Sequence, residues 1–258
     1  MKVVILCGGM GTRIRDVSEL MPKPMVPVGQ QPIVWHIMKF YAHFGHKDFV
    51  LCLGYKKECF TDYFLNYTAR NSDLTVELGA KPRTTFHNAN GNEDWRVTLA
   101  DTGLKTMTGS RLKRVAKYLD DGPFMLTYGD GLCDVDLKAL LKSHKKSGKL
   151  ATVSAVHPAG RFGEIEIDKG RVTSFAEKPQ TTQGYINGGF MVFEREFIER
   201  YINDENKCVL EADALAACAN DGELNAFCHD GFWQCMDTAR EHQMLNDMWE
   251  RGANWKVW

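Results

Sequence analysis

The chain has 258 residues, 44% apolar and 25% charged, ordinary values that argue against a disordered, collagen-like or membrane-spanning protein. A folded chain of this length buries roughly 70–75% of its unfolded surface, enough for one sizeable core. Lys plus Arg number 32 and Asp plus Glu 33, a formal charge of −1, so no overall basic field draws nucleic acid and an anionic ligand needs local charge.

Val3–Cys7 reads as a buried strand, β-branched and ended by glycines. This short apolar run is far below the ~20 residues of a spanning helix and the ~7–15 of a secretory h-region, so a cytoplasmic location is expected. Pro32 to Phe44 reads as a helix, because Ile33, Ile37, Phe40 and Phe44 fall on one face and Gly45 is a stop. Phe49–Leu53 is a second strand, followed by a helix around Cys59–Tyr67. Residues 70–110 break this alternation: polar, Asn-rich, with short alternating stretches such as Trp95–Leu99, they suggest a β or loop excursion. Arg111–Tyr118 looks helical, Phe124–Thr127 a strand, Asp136–Lys145 a helix and Ala151–Val156 a strand. Gly163–Phe175 alternates around Lys169-Gly170 and reads as a hairpin. Gly189–Phe193 is a strand; Glu194–Ile202, Ala212–Ala219 and Thr238–Trp249 are helices. The expectation is one α/β domain over 1–258, a doubly wound, mostly parallel sheet with β insertions.

Eight cysteines show no C-x-x-C spacing, and no His pair completes a zinc pattern. They read as small hydrophobes in a reducing compartment. His36, His43 and His46 read as surface and packing residues, and Trp249, Trp255 and Trp258 as core or subunit interface.

Gly8-Gly9-Met10-Gly11-Thr12-Arg13 follows the first strand directly. A strand that stops in glycines exposes backbone N–H groups able to cradle phosphate, and Arg13 adds a bidentate cation. A tight turn packing a helix on the sheet explains any one of these glycines as well. Two other loops do not fit. Walker A closes in Gly-Lys-Ser/Thr, which Thr12-Arg13 does not match. A dinucleotide fingerprint beginning at Gly9 needs its third glycine where Ile14 stands. In Pro22-Lys23-Pro24-Met25 the flanking prolines keep Lys23 out of a helix and offer a second cation toward the loop.

These two motifs, with Gly129-Asp130, Glu177-Lys178-Pro179 and Asn187-Gly188-Gly189, resemble the sugar-1-phosphate nucleotidyltransferases over nearly the whole chain. The stretches 32–39, 98–103, 107–115, 160–163 and 231–234 resemble the cytidylyl branch of that family. The resemblance implies a Rossmann-like nucleotidyltransferase fold and a reaction of CTP with α-D-glucose 1-phosphate giving CDP-glucose and pyrophosphate. It implies Mg²⁺ as cofactor and a homo-oligomer, a hexamer by resemblance, with no nucleic acid or membrane as partner. It implies nucleotide contacts from Leu6, Gly8, Gly9, Met10, Gly11, Thr12, Arg13, Lys23, Thr106, Arg111 and Gly129. Gly163, Glu177, Lys178 and Asn187 then face the sugar phosphate, Asp130 and Asp237 hold the metal, and Arg13, Lys23 and Lys178 act in catalysis.

Read from their own surroundings, several of these residues keep plainer explanations. Asp130 also suits a turn that needs left-handed geometry, and Asp237 a helix N-cap. Arg111, with Lys113 and Arg114, begins a helix whose dipole disfavours cations there, which suggests a nearby anion; a solvated helix face is the alternative. The joining of two anions needs charge compensation and in-line placement rather than a nucleophilic side chain, and no Ser-His-Asp or Cys-His set stands out. Leu210-Glu211-Ala212-Asp213-Ala214-Leu215 departs from the family's Trp-Glu-x-Glu-Pro-Leu near the sugar side, which leaves the sugar open. Two other functions stay open: a non-catalytic nucleotide-sugar sensor on the same fold, and an NAD-dependent oxidoreductase, which Ile14 disfavours.

Overall fold

Seven strands pair into one sheet in the order Leu224–His229, Ala151–Val156, Ile186–Phe193, Phe124–Tyr128, Lys2–Leu6, Asp48–Leu53, Arg96–Asp101. The computed structural model describes residues 1–9, 21–87, 93–158, 164–168, 171–176, 184–203 and 206–258. Every pairing in this sheet is parallel except the two made by Ile186–Phe193. From the central Lys2–Leu6 strand the chain runs outward through Asp48–Leu53 and Arg96–Asp101. It then crosses to Phe124–Tyr128 on the other side. That change of direction opens a crevice beyond the carboxyl ends of the two middle strands, where open α/β sheets take their ligands.

The central strands are apolar on both faces because both faces are covered. Val3 and Ile5 enter one core cluster, with Ile33, Ile37, Phe40 and Trp255. Val4 and Leu6 enter the other, with Leu112, Val115 and Phe197. The doubly wound, mostly parallel sheet expected from the sequence is therefore present. Among the described residues, no helix is long and apolar enough to cross a membrane. All eight cysteines are free.

Local signals set most element ends. Asp136 Oδ1 accepts from the N–H groups of Lys138 and Ala139 at 2.8 and 3.0 Å, starting helix Leu137–Ser147, and Gly148 at φ +63° ends it. Thr238 and Glu241 form a capping box on helix Ala239–Arg251. That last helix also braces the segment after Lys23. Its Asn246 Oδ1 accepts from Gly29 N at 2.8 Å, and the Trp249 indole fills the space beside Gly29, whose φ of +62° is left-handed. His36, fully buried in helix Ile33–His43, bonds through Nε2 to Val28 O at 2.8 Å, edge-on to Trp249 and Trp255. The packing reading of His36, Trp249 and Trp255 is correct.

Four boundaries differ from expectation. The 70–110 stretch holds a hairpin, Asp73–Glu77 with Arg83–His87, but Arg96–Asp101 is an edge strand of the main sheet. The helix expected from Arg111 begins at Thr108, which puts Arg111 in its second turn and Lys113 and Arg114 in its last, where the dipole favours cations. Arg111 therefore does not stand at the helix start, and the helix dipole asks for no anion beside it. Residues 210–215 form a π-helical turn that runs into helix Ala216–Asn220. Strands Leu224–His229 and Trp233–Cys235 were not anticipated.

Candidate active site

Leu6 and Tyr128 are register partners at the ends of the two middle strands, and Gly129 N donates to Leu6 O at 3.1 Å. A Cβ at Gly129 would lie 2.8 Å from Pro24 Cγ and 3.0 Å from Leu6 O, so only glycine lets the Lys23 segment close over this seam. Beyond the seam lies a cavity of about 750 Å³. Its lining includes Leu6, Gly8, Gly9, Gly129 and Asp130 from the strand ends, Lys23 and Asp237, which are in contact with each other, and Thr106, Met107 and Thr108.

Lys23, Asp130 and Asp237 meet because a short ladder brings distant segments together. Gly131–Cys133 pairs antiparallel with Trp233–Cys235, and Met236 N donates to Asp130 O at 2.8 Å. The two carboxylates thereby face each other across Lys23, which opens a single 3-10 turn, Lys23–Met25. Lys23 Nζ bonds Asp130 Oδ2 at 2.7 Å and also pairs with Asp237 Oδ1. Burial pulls the lysine pKa down, but the charge of and hydrogen bonds to Asp130 and Asp237 outweigh it and hold the pKa above its ordinary value.

The plainer readings of the two aspartates fail. Thr238, not Asp237, caps the last helix, and Glu241 Oε2 takes the backbone N–H of both Asp237 and Thr238. Among the described residues Lys56 alone of the non-glycines has a left-handed backbone, so Asp130 does not serve that need. What the geometry provides is two hard oxygen donors converging on one positive charge, a donor set suited to Mg²⁺, which takes one or two carboxylates and fills its remaining positions with phosphate and water. No group of three or more His, Cys, Asp or Glu able to hold a metal occurs among the described residues.

Arg111 is 5% exposed, and its guanidinium lies under the glycine strand end. Nη1 donates to Leu53 O, Thr102 Oγ1 and Gly103 O at 3.0, 2.7 and 2.8 Å; Nη2 donates to Gly8 O and Leu104 O at 3.0 and 3.3 Å. A Cβ on Gly8 would overlap the guanidinium. Arg111 borders the cavity, and its Nη groups donate to the Thr102 hydroxyl and to carbonyls of three segments, so it braces this end of the cavity. The solvated helix face does not describe this arrangement.

Asn187 sits at the start of the reversed strand, and its Nδ2 donates to Tyr128 Oη at 3.2 Å. Tyr128 was not singled out as a site residue in the sequence, although its place at a strand end beside Gly129-Asp130 marks it. Cys7 also lines the cavity, but burial pushes its pKa well up, which keeps the thiol protonated and unsuited to nucleophilic work. Met10, Gly11, Thr12, Arg13, Gly163, Glu177 and Lys178 lie outside the described residues.

A cavity at the switch point of a parallel sheet, floored by glycine backbone and ended by two carboxylates and a lysine, defines a nucleotide-handling α/β protein. The nucleotidyl transferase family model matches residues 2–250. Over the full length of both chains, this one is 48% identical to glucose-1-phosphate cytidylyltransferase of Salmonella typhi and 38% identical to the probable glucose-1-phosphate cytidylyltransferase of Bacillus subtilis. The solved structure of a UDP-glucose pyrophosphorylase complexed with UDP-glucose shares the fold, at TM-score 0.67 and 16% identity, over 97% of this chain and 98% of that one. The chain belongs to the nucleotidyl transferase family, in its glucose-1-phosphate cytidylyltransferase branch.

Proposed function

We infer that the chain joins CTP and α-D-glucose 1-phosphate into CDP-glucose, releasing pyrophosphate. The observation that carries this reading is the convergence of Asp130, Asp237 and Lys23 beside the Gly8-Gly9 strand end, in a chain 48% identical to a cytidylyltransferase. A phosphate oxygen of the sugar phosphate forms the new bond to the α-phosphorus, and the bond from that phosphorus to the pyrophosphate oxygen breaks. Both reactants are anions, so placement and charge compensation make up most of the catalysis.

The backbone of Gly8 and Gly9, continuing through Met10, Gly11 and Thr12, receives the triphosphate, with Arg13 and Lys23 as its cations. Leu6, Thr106 and Gly129 shape the nucleotide end, and Arg111 keeps the Gly8 carbonyl turned away from the ligand. Asp130 and Asp237 would hold Mg²⁺, which supplies positive charge against the phosphates when bound. Lys178 holds the sugar phosphate, and Glu177, Asn187 and Gly163 hold the hexose. The same reading takes the protein as cytoplasmic and as a homo-oligomer, a hexamer.

Pyrophosphate release with Mg²⁺, measured over the four nucleoside triphosphates and several sugar 1-phosphates, tests this. Release confined to CTP with glucose 1-phosphate is expected. Release with CTP but another sugar phosphate would keep the chemistry and change the acceptor. CTP binding with no release anywhere would replace the enzyme by a nucleotide-sugar sensor.

A further inference from the structure

The π-helical turn carries one side chain back toward the cavity. Glu211 Oε1 accepts the Tyr128 hydroxyl proton at 2.6 Å, and Oε2 accepts from Thr108 Oγ1 at 2.9 Å. Thr108 Oγ1 in turn accepts from Leu210 N at 2.8 Å, so the carboxylate is held at both oxygens. Single-turn π segments inside helices recur at functional sites, because they re-aim a side chain that an α-helix would place elsewhere.

A phenol has one proton to give. Tyr128 gives it to Glu211, which leaves the phenol oxygen to act as an acceptor toward Asn187 Nδ2 at 3.2 Å. Asn187 Oδ1 accepts from Gly189 N at 3.0 Å, so the amide is pinned in one orientation with its oxygen toward Gly189 and its nitrogen toward Tyr128. The second N–H of Nδ2 has no partner among the described residues. The Tyr128 ring cannot swing away freely, since it packs against Gly189, where a Cβ would overlap it.

We propose that Glu211 is a positioning residue for the sugar phosphate, acting through Tyr128 to aim the Asn187 amide at the hexose. The proposal rests on the reading of Asn187 as a sugar contact. It gives Glu211, the residue of the 210–215 segment that keeps the family's glutamate, a part in holding the acceptor: Glu211 sets which way one amide donor points.

The test is steady-state pyrophosphate release by full-length wild type, Tyr128→Phe, Glu211→Ala, Glu211→Gln and the Tyr128→Phe/Glu211→Ala double variant, varying CTP and glucose 1-phosphate separately. Losing one such hydrogen bond is expected to raise the sugar-phosphate KM roughly tenfold in Tyr128→Phe and in Glu211→Ala, while the CTP KM stays within about twofold. The double variant should be no worse than either single one, because both break the same chain of bonds. Glu211→Gln keeps an acceptor for the phenol and should restore most of the affinity. Equal rises in both KM values, or no rise in either, or additive single effects, would overturn the proposal. Tyr128→Phe removes only a hydroxyl, so it stays informative if Glu211→Ala folds poorly. A wild type that releases no pyrophosphate with glucose 1-phosphate would overturn the functional reading and this inference together; an active wild type with flat variants would overturn the inference alone.

Discussion

Lys23 Nζ lies 2.7 Å from Asp130 Oδ2 although 107 residues separate them, and the same nitrogen pairs with Asp237. One ammonium thus neutralises part of a site built from two carboxylates. Asp130→Ala should abolish metal-dependent turnover, a loss on the order of a hundredfold or more, since metal charge compensation is worth several kcal/mol. Lys23 keeps Asp237 as a partner, so the melting temperature should move little. Pyrophosphate release against Mg²⁺ concentration, alongside a thermal melt, checks both; near-normal turnover at saturating Mg²⁺ would remove Asp130 from the metal site.

Lys178→Ala should raise the KM for sugar phosphate and lower turnover. A preorganised contact to charge that develops in the transition state is worth ~2.7–4 kcal/mol, so the loss should be about a hundredfold or more. Unchanged kinetics would take Lys178 out of the site. Arg13→Ala should weaken CTP more than sugar phosphate, and equal losses would count against the loop assignment.

Arg111→Lys should destabilise the fold as well as the nucleotide end. A lysine ammonium cannot span the carbonyls of Gly8, Gly103 and Leu104 that the guanidinium now satisfies, whereas Leu53 O keeps its donors from Thr102. Of these only the Gly8 bond is fully buried, and a buried carbonyl left without a donor costs about 1–3 kcal/mol, so a loss of that size is expected in urea unfolding. A loss of CTP affinity with unchanged stability would instead make Arg111 a direct ligand contact.

Stability should fall on acidification in a window set by His36. Burial, only partly offset by its backbone hydrogen bonds, lowers the imidazole pKa from 6.5 to about 4. The unfolded chain therefore binds a proton below about 6.5 that the folded protein refuses until about 4. The sign is destabilising as pH drops through that interval, by up to ~3 kcal/mol for a fully buried group. His46, also lowered to about 4 chiefly by burial, adds in the same direction. Urea midpoints between pH 7 and pH 4 check this; a midpoint that stays flat in wild type would contradict it.

The central strands and helix Ile33–His43 were legible because their burial is continuous or periodic along the chain. Two strands of the main sheet escaped, Arg96–Asp101 as a sheet member and Leu224–His229 altogether, and they are its two edges. Edge strands are only half covered, and their mixed polarity reads like a loop or an isolated hairpin. The start of the helix at Thr108 was hidden by Gly109 and Ser110, weak helix formers placed there for close approach: a Cβ on Gly109 would come within 2.8 Å of Cys208 Sγ. Asp130 and Asp237 stood out by resemblance, but only the ladder between Gly131–Cys133 and Trp233–Cys235 explains why they meet. The burial of Arg111 was invisible because its carbonyl partners come from segments with no shared local pattern.

The single reversed strand has a consequence for how this enzyme can change. A forward strand delivers its exit to the crevice, whereas Ile186–Phe193 delivers its entrance, with Asn187 paired to Ala155 near the far end of a forward neighbour. The proposed nucleotide contacts Leu6 and Gly129 thus come from what leaves the sheet, and the proposed sugar contact Asn187 from what arrives at it. The two stretches meet at Tyr128, the last residue of a forward strand, whose hydroxyl accepts from Asn187 Nδ2. A changed approach to residue 186 therefore has to keep the Asn187–Tyr128 contact if the forward strands are to stay as they are.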